Sequence, residues 1–188
     1  MRKMLLAMAI AAAFAAGAEI KVAFVDMADL LKLHPQYESD GRMLKEIDRE
    51  YQDKIESRQD EIKNLAEAGR KATEEAQNPM LGGKARQEAA KKVEDLQRKF
   101  LAAQQELQGM MAKYREEVET TNARLLRTRM GEIREKTAAW AKEKGYDAVL
   151  DMTTAAYVAP ELDVTDEILK LYGVDPAKRA EKKANESK

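Results

Sequence analysis

The sequence predicts an α+β protein dominated by α-helix, in which a long antiparallel helical hairpin projects from a small β-strand body. Three observations lead to this fold class. Apolar stripes of helical spacing run along both sides of a single strong turn. Charged residues make up 36% of the chain and aromatic residues 5%, a composition typical of long helices and coiled coils. Short β-branched segments at the two ends of the chain have the pattern of strands.

The helical hairpin, or arm, is predicted to span residues 37–144, with its turn at residues 77–84. On each side of the turn, apolar residues recur three, four or seven positions apart, as they do along one face of a helix. Paired outward from the turn, their numbers sum to 161 or 162, so that Tyr51 faces Met110 and Ile47 faces Tyr114. One antiparallel register therefore accommodates the whole seam, whose large members are Leu44, Ile47, Tyr51, Ile55, Ile62, Leu65, Val93, Leu96, Phe100, Leu107, Met110, Tyr114 and Val118.

The two helices of the arm carry opposite charge. Residues 38–77 contain 8 Lys and Arg against 12 Asp and Glu, a net charge of -4, whereas residues 84–144 contain 15 against 10, a net charge of +5. Antiparallel pairing places an acidic helix against a basic one, which favours this partner over self-pairing of like helices. Each surface pair contributes only a few tenths of a kcal/mol, so the apolar seam must supply most of the stability.

Among the glycines of the arm, Gly69 lies opposite Val93 and Gly109 lies opposite Tyr51 and Gln52. Each costs about 1 kcal/mol relative to Ala inside a helix. Two interpretations are open. The glycines make room for large residues of the facing helix, soften the arm, or do both.

The first eighteen residues have the organisation of a secretory signal peptide. Arg2 and Lys3 form a charged start, residues 4–16 form an apolar run too short to span a bilayer, and residues 16–18 give a small-x-small cleavage site. Without Arg2 and Lys3 the formal charge changes from -1 to -3, so the secreted chain is mildly acidic. The chain has no Cys, which removes a disulfide framework, a lipoprotein anchor and thiolate metal sites.

The ends of the secreted chain are predicted to form the body, from residues 19–36 and 145–175. Strands are expected at residues 20–26, 147–151 and 155–158, and a last helix capped by Asp163 or Thr165 is expected to stop at Gly173. From residue 176 to 188 the chain contains no large apolar residue and is expected to be a frayed polar tail. A body this small buries little surface and is marginal alone. We therefore expect partner chains to cover the residues Val22, Phe24, Val149, Leu150, Tyr157 and Ile168.

Two end segments carry a family resemblance. Residues 21–27, Lys-Val-Ala-Phe-Val-Asp-Met, and residues 146–157, which begin Tyr-Asp-Ala-Val-Leu-Asp and end Ala-Ala-Tyr, resemble the ends of the Skp family of OmpH-type periplasmic chaperones. Residues 163–169 are similar to the closing segment of that family. The resemblance implies a homotrimer with a β-barrel-like core assembled from three chains, and three arms that enclose a cavity. It further implies a periplasmic holdase that binds unfolded outer-membrane proteins without ATP.

No group of residues in the sequence supports catalysis, a cofactor or a metal site. Gly82-Gly83 precedes a helix but lacks the Gly-Lys-Ser/Thr continuation of a phosphate loop, and the lone His34 is expected in a loop before a Pro-initiated helix. The paired carboxylates Glu116-Glu117 have a simpler role on a helix surface. The mild acidity of the chain argues against nucleic acid as a partner. We therefore expect no enzyme.

Two function classes remain, a holdase chaperone and a structural or adaptor coiled coil that spaces components of the cell envelope. A spacer needs its apolar seam fully satisfied, whereas a holdase must keep adaptable apolar surface available. Large apolar residues do lie off the predicted seam, and methionine suits varied partners. These candidates for contact with client proteins are Met43, Met80, Leu81, Leu101 and Met111. A transient contact with a membrane surface is a further open alternative.

Overall fold

The computed structural model of the protein describes residues 20–186, so the predicted signal peptide lies outside the described residues. The described chain is mostly helical and has few strand residues. In chain order the elements are β1 (Val22–Val25), α1 (Met27–Lys32), α2 (Tyr37–Ala76), α3 (Gly83–Lys144), β2 (Ala148–Asp151), 3-10 turns at Met152–Thr154 and Pro160–Leu162, α4 (Thr165–Lys170) and α5 (Ala177–Glu186).

The chain divides into two compact units. The hairpin unit consists of Glu38–Leu126 and contains nearly all of α2 and most of α3. Among the described residues, the body unit consists of residues 20–37 and 127–186. The last part of α3, residues 127–144, thus belongs to the body unit, although the sequence assigned the whole helix to the arm.

The body unit is built around a two-stranded parallel sheet. Val22 pairs with Ala148, Phe24 with Leu150 and Val25 with Asp151. Parallel neighbours need a long crossover connection, and here the chain between them contains the whole hairpin. Beyond β1, Asp163 forms an isolated bridge to Phe24, and the backbone N–H of Val164 donates to the carbonyl of Phe24 at 2.9 Å.

One face of the sheet packs on the core. Burial alternates along β1, so that Ala23 and Val25 are buried while Val22 and Phe24 are half-buried. The fully or nearly fully buried apolar residues of the body are Ala23, Val25, Leu30, Ile133, Trp140, Ala141, Val164, Ile168 and Leu169. They come from β1, α1, the last part of α3 and α4, so residues from both ends of the chain share one core.

Local signals mark the helix ends, but the N-cap of α4 is Val164, which makes no side-chain cap hydrogen bond, rather than Asp163 or Thr165 as the sequence predicted. Asp26 caps α1, because its carboxylate accepts a hydrogen bond from the Asp29 backbone N–H at 3.0 Å. Asp163 accepts a hydrogen bond from the Thr165 backbone N–H at 2.9 Å, at the start of α4. Gly145 and Gly173 have φ of 70° and 69°, a left-handed conformation that ends α3 and follows α4.

Two predicted secondary-structure assignments of the body are wrong. The first is the strand at residues 155–158. Ala155 has an extended backbone, with φ -120° and ψ 142°, but residues 155–158 pair with no strand of the described chain. An extended segment becomes a strand only when a neighbour supplies the hydrogen-bond ladder. The prediction used the local strand propensity of these residues, and that propensity contains no information about a neighbouring strand.

The second wrong prediction is the frayed tail from residue 176. Ala177–Glu186 instead form the helix α5, and Arg179 on this helix is buried. The segment has no large apolar side chain, as the sequence indicated, but a helix can also be held by ion pairs. Here the pairs link Arg179 to the acidic groups of Asp29, Asp163 and Asp166.

Candidate interaction surfaces

The residues that the periodicity assigned to the seam of the arm share one state of burial in the hairpin unit. All thirteen large seam residues, from Leu44 to Val118, are partly buried, which is the state expected of a two-helix contact. Smaller residues complete the contact, since Ala72, Ala89 and Ala103 are buried. In the half of the hairpin nearer the turn, a cavity of about 260 Å³ is lined by residues of both helices, including Leu65, Leu96 and Phe100.

A tyrosine pair joins the two helices of the hairpin. The rings of Tyr51 and Tyr114 lie 5.2 Å apart between centroids. The Tyr51 hydroxyl donates to Glu117 at 2.7 Å, and the Tyr114 hydroxyl donates to Asp48. These hydrogen bonds to carboxylates raise the pKa of both tyrosines. Tyr51 therefore contacts Tyr114, one helical turn beyond Met110, the residue that the sequence placed opposite it.

Ion pairs across the hairpin agree with the opposite charges of the helices. Arg58 lies 2.9 Å from Glu106, and Lys92 lies 3.5 Å from Glu75. The groups are largely exposed, so each pair contributes a few tenths of a kcal/mol at most. Opposite charges of this kind favour the pairing of an acidic with a basic helix, while the buried apolar residues supply most of the stability.

Large apolar side chains remain exposed outside the seam. Met80 at the turn is 90% exposed and Leu101 is 56% exposed, while Met43 and Met111 are each 42% exposed. Leu81, the fifth residue of this predicted set, is instead half-buried. It belongs to a structured turn in which the Arg86 guanidinium donates to its carbonyl at 3.3 Å. Four of the five candidates are thus exposed, and we call them the exposed apolar set of the hairpin unit: Met43, Met80, Leu101 and Met111.

The body unit has its own uncovered apolar surface, on the sheet face opposite the core. We call this surface the outer sheet face, formed by Val22, Phe24 and Leu150. Phe24 and Leu150 are register partners, and Leu150 is 44% exposed. In the loop after β2, Tyr157 is 79% exposed.

Val149 and Ile168 differ from the other residues expected to need a partner chain. Val149 lies on the inner face and packs against the core. Ile168 is fully buried within the chain itself, so the expectation that it would be exposed without a partner is wrong. The apolar face of the short helix α4 is turned into the core of its own chain, where Leu169 is also buried.

The described residues were compared with the requirements of a metal site and of a membrane-spanning helix. Within residues 20–186, no group of three or more His, Cys, Asp or Glu side chains could hold a metal ion. None of the helices in this part of the chain combines the length and the apolar character that crossing a membrane requires.

A comparison with known protein families identifies the family of this chain. A protein-family model described as outer membrane protein (OmpH-like) matches residues 21–172, well over half of the chain. The chain belongs to the OmpH-like family. The resemblance read from its end segments is therefore confirmed.

A solved structure shows the same fold. A crystal structure of a candidate OmpH-like outer membrane chaperone from Caulobacter crescentus CB15 matches with a TM-score of 0.60. The match covers 82% of this chain and 85% of that chain at 15% sequence identity. A search of curated proteins found no match.

The OmpH-like match ends at residue 172, and the structure has two clusters that the sequence reading missed. The first surrounds His34, which is buried and lies 4.8 Å from the Tyr172 ring and 3.5 Å from Glu132. His34 does lie in a turn before α2, but this helix begins at Tyr37, two residues after Pro35.

The second cluster surrounds Arg179 on α5, beyond the end of the family match. A signal for it was present in the sequence. Arg179, Lys182 and Lys183 have the spacing of one helix face, and the pairs Asp26–Asp29 and Asp163–Asp166 repeat the same separation of three.

Proposed function

We propose that this OmpH-like protein is an ATP-independent periplasmic holdase that binds unfolded outer-membrane β-barrel proteins and prevents their aggregation. The observation that carries the proposal is the exposed apolar set of the hairpin unit. Met43, Leu101 and Met111 remain in solvent although a complete seam runs along the same two helices. Membership of a family of OmpH-like outer membrane proteins agrees with such clients.

The chemistry of the exposed set suits clients without a fixed structure. Methionine is flexible and polarisable, so it packs against side chains of many shapes. The exposed set is dispersed along the hairpin, and single contacts of this kind are weak. A holdase without a nucleotide cycle must release its client, and many weak contacts permit release where one tight contact would prevent it.

The proposed active form is a homotrimer, with a β-barrel-like core formed by three bodies and a client cavity between three arms. The uncovered outer sheet face supports this assembly. Parallel sheets occur almost only with both faces covered, and here the described chain covers one. Leu150 and Tyr157 are the residues that a partner chain would bury. The proposed location is the periplasm, reached by means of the signal peptide predicted at residues 1–18.

The decisive experiment shortens the hairpin. Residues 70–92 are replaced by a short Gly-rich turn that joins Gly69 to Val93, two residues that line the same cavity in the seam. The shortened protein should remain trimeric by light scattering and lose its suppression of aggregation when an unfolded outer-membrane β-barrel protein is diluted from urea. Met43→Ser in the full-length chain serves as a control and should leave suppression nearly unchanged, because one weak contact among many is lost.

The alternative function, a spacer or adaptor of the cell envelope, predicts a different result. A spacer does not bind unfolded chains, so neither the full-length nor the shortened trimer would suppress aggregation. A shortened trimer that protects clients as well as the full-length protein would show that the arms are not the client-binding element.

A further inference from the structure

The helix α5 lies outside the part of the chain that matches the OmpH-like family, which ends at residue 172. Its sequence, Ala-Lys-Arg-Ala-Glu-Lys-Lys-Ala-Asn-Glu, has four basic and two acidic residues and no apolar side chain larger than Ala. A helix of this length is marginal in isolation, and α5 has no hydrophobic face with which to dock. Polar contacts must therefore hold it.

Arg179 supplies most of these contacts. Its side chain is buried, with 6% of the residue exposed. Nε donates to Asp29 at 2.9 Å, and Nη1 lies 2.8 Å from Asp163 and 3.2 Å from Asp166. The planar guanidinium thus joins the α1 carboxylate to two carboxylates at the start of α4. A rigid fork of donors suits such bridging, whereas a Lys ammonium is a point charge.

Asp29 is the centre of the cluster on the α1 side. It is nearly fully buried, and it also accepts a hydrogen bond from Lys182, while Lys183 lies 3.6 Å away. Arg179, Lys182 and Lys183 occupy one face of α5, so a single helix delivers three cations to one carboxylate. A buried carboxylate without such partners would be strongly destabilising.

A fourth carboxylate completes the surroundings of Arg179. Nη2 lies 4.0 Å from Asp26, which is too long for a hydrogen bond, and this buried atom has no hydrogen-bond partner among the described residues. Asp26 itself is held in place. Its carboxylate caps α1, and its backbone N–H donates to the Thr165 hydroxyl at 2.8 Å. Thr165 is fully buried, so the junction of α1 with α4 is rigid on both sides of the guanidinium.

We infer that α1 and the segment 163–166 form a guanidinium-binding site, and that α5 is a clasp that closes the body by placing Arg179 in this site. The clasp ties Asp29, near the start of the described chain, to Asp163 and Asp166, near its end. It thereby holds together two segments whose covalent connection contains the hairpin. This inference concerns the body alone and does not depend on the proposed chaperone function.

Hydrogen exchange of the full-length protein, read by mass spectrometry, tests the clasp. In the wild type, amides of residues 180–186 should be protected at least tenfold relative to an unstructured peptide. Arg179→Ala should remove this protection and accelerate exchange in α1 and α4. Lys178→Ala, which removes the same charge from an exposed neighbouring position, should change neither. An unprotected α5 in the wild type, or equal exchange in the two variants, would overturn the inference.

Chemical rescue tests the guanidinium site separately. Ethylguanidinium at millimolar concentration should restore protection of α1 and α4 in Arg179→Ala, and ethylammonium at the same concentration should not. Arg179→Lys should resemble Arg179→Ala more than the wild type, because the single nitrogen of an ammonium cannot occupy the positions of both Nε and Nη1. Rescue by both cations, or by neither, would show that the site does not select a guanidinium. If Arg179→Ala fails to fold, hydrogen exchange of α5 in the wild type and in Arg179→Lys still tests whether Arg179 holds α5 on the body.

Discussion

Asp29 makes the stability of the body depend on pH. Its burial would raise its pKa, but the hydrogen bonds from Lys182 and Arg179 outweigh burial and lower the pKa from 3.8 to about 2. A carboxyl group whose pKa falls on folding stabilises the folded state above its unfolded pKa. The contribution of Asp29 is therefore complete above about pH 5 and is lost as the pH falls from about 4 to about 2. A shift of this size corresponds to about 2 kcal/mol.

The low pKa of Asp29 predicts a gap between the free energies of unfolding of the wild type and Arg179→Ala, and this gap should narrow in acid. The free energy of unfolding in urea should be lower for Arg179→Ala than for the wild type at neutral pH, because the variant leaves Asp29 with fewer partners. The gap should narrow as the pH falls from about 4 towards 2, because Asp29 becomes progressively protonated and is half protonated in the folded wild type near pH 2. Lys178→Ala should follow the wild type at every pH. A gap of constant size would show that Arg179 stabilises the body by packing and not through its charge.

At the scale of single elements, the glycines of the arm can now be interpreted. A Cβ built at Gly69 or Gly109 would meet no atom within 4 Å, so the interpretation that these glycines make room for large residues is wrong. What remains is their effect on the helices themselves, because each glycine weakens the helix that contains it. Gly69 lies in the first long helix of the arm and Gly109 in the second, so each helix contains one of these two positions.

Replacing these glycines should stabilise the arm. Gly69→Ala and Gly109→Ala should each raise the free energy of unfolding by about 1 kcal/mol, measured by urea denaturation followed by circular dichroism. Gly145→Ala is the matched control, since φ at Gly145 is 70°. An L-residue in that conformation costs about 1–2 kcal/mol, so this variant should lose stability. Destabilisation by Gly69→Ala would indicate packing contacts that the structure does not contain.

Elements were predictable from the sequence where their cause is local. The long helices, their turn and the seam follow from apolar spacing, and the stops at Gly145 and Gly173 follow from the need for a left-handed residue. Interactions between distant residues were not predictable in this way. The docking of α5 rests on Arg179 and Asp29, which are 150 residues apart, and ion pairs leave no apolar period in the sequence.

The same limit explains the errors in the predicted body surface. Apolar character alone does not distinguish a residue that packs on its own core from one that awaits a partner chain. Ile168 and Leu150 looked alike in the sequence, yet Ile168 is fully buried and Leu150 is 44% exposed. The tertiary structure decides each case: Ile168 lies on the face of α4 that packs into the core, whereas the parallel pairing of β1 with β2 places Leu150 beside Phe24 on the face opposite Ala23 and Val149.

At the scale of the whole molecule, the outer sheet face is the surface that most needs to be covered by another element. A two-stranded sheet is marginal in water unless other elements cover it. The core covers one face, and the outer edge of β2 carries unpaired backbone groups in the described chain. An exposed apolar edge of this kind promotes uncontrolled association unless a specific partner covers it. Assembly of identical chains in a closed ring would cover the outer sheet face and pair the edge of β2 at once.

Assembly can be tested with a single substitution on this face. Leu150→Asp places a carboxylate where a partner chain would bury it, at a cost of several kcal/mol in each subunit. The side chain is already 44% exposed in the single chain, so the variant should fold. Light scattering at micromolar concentration should give a trimer for the wild type and a monomer for Leu150→Asp, with helix content retained. Leu101→Asp, the same change on the exposed surface of the hairpin unit, should stay trimeric. A wild-type protein that is a stable monomer, or a Leu150→Asp variant that remains trimeric, would exclude the outer sheet face as the assembly surface.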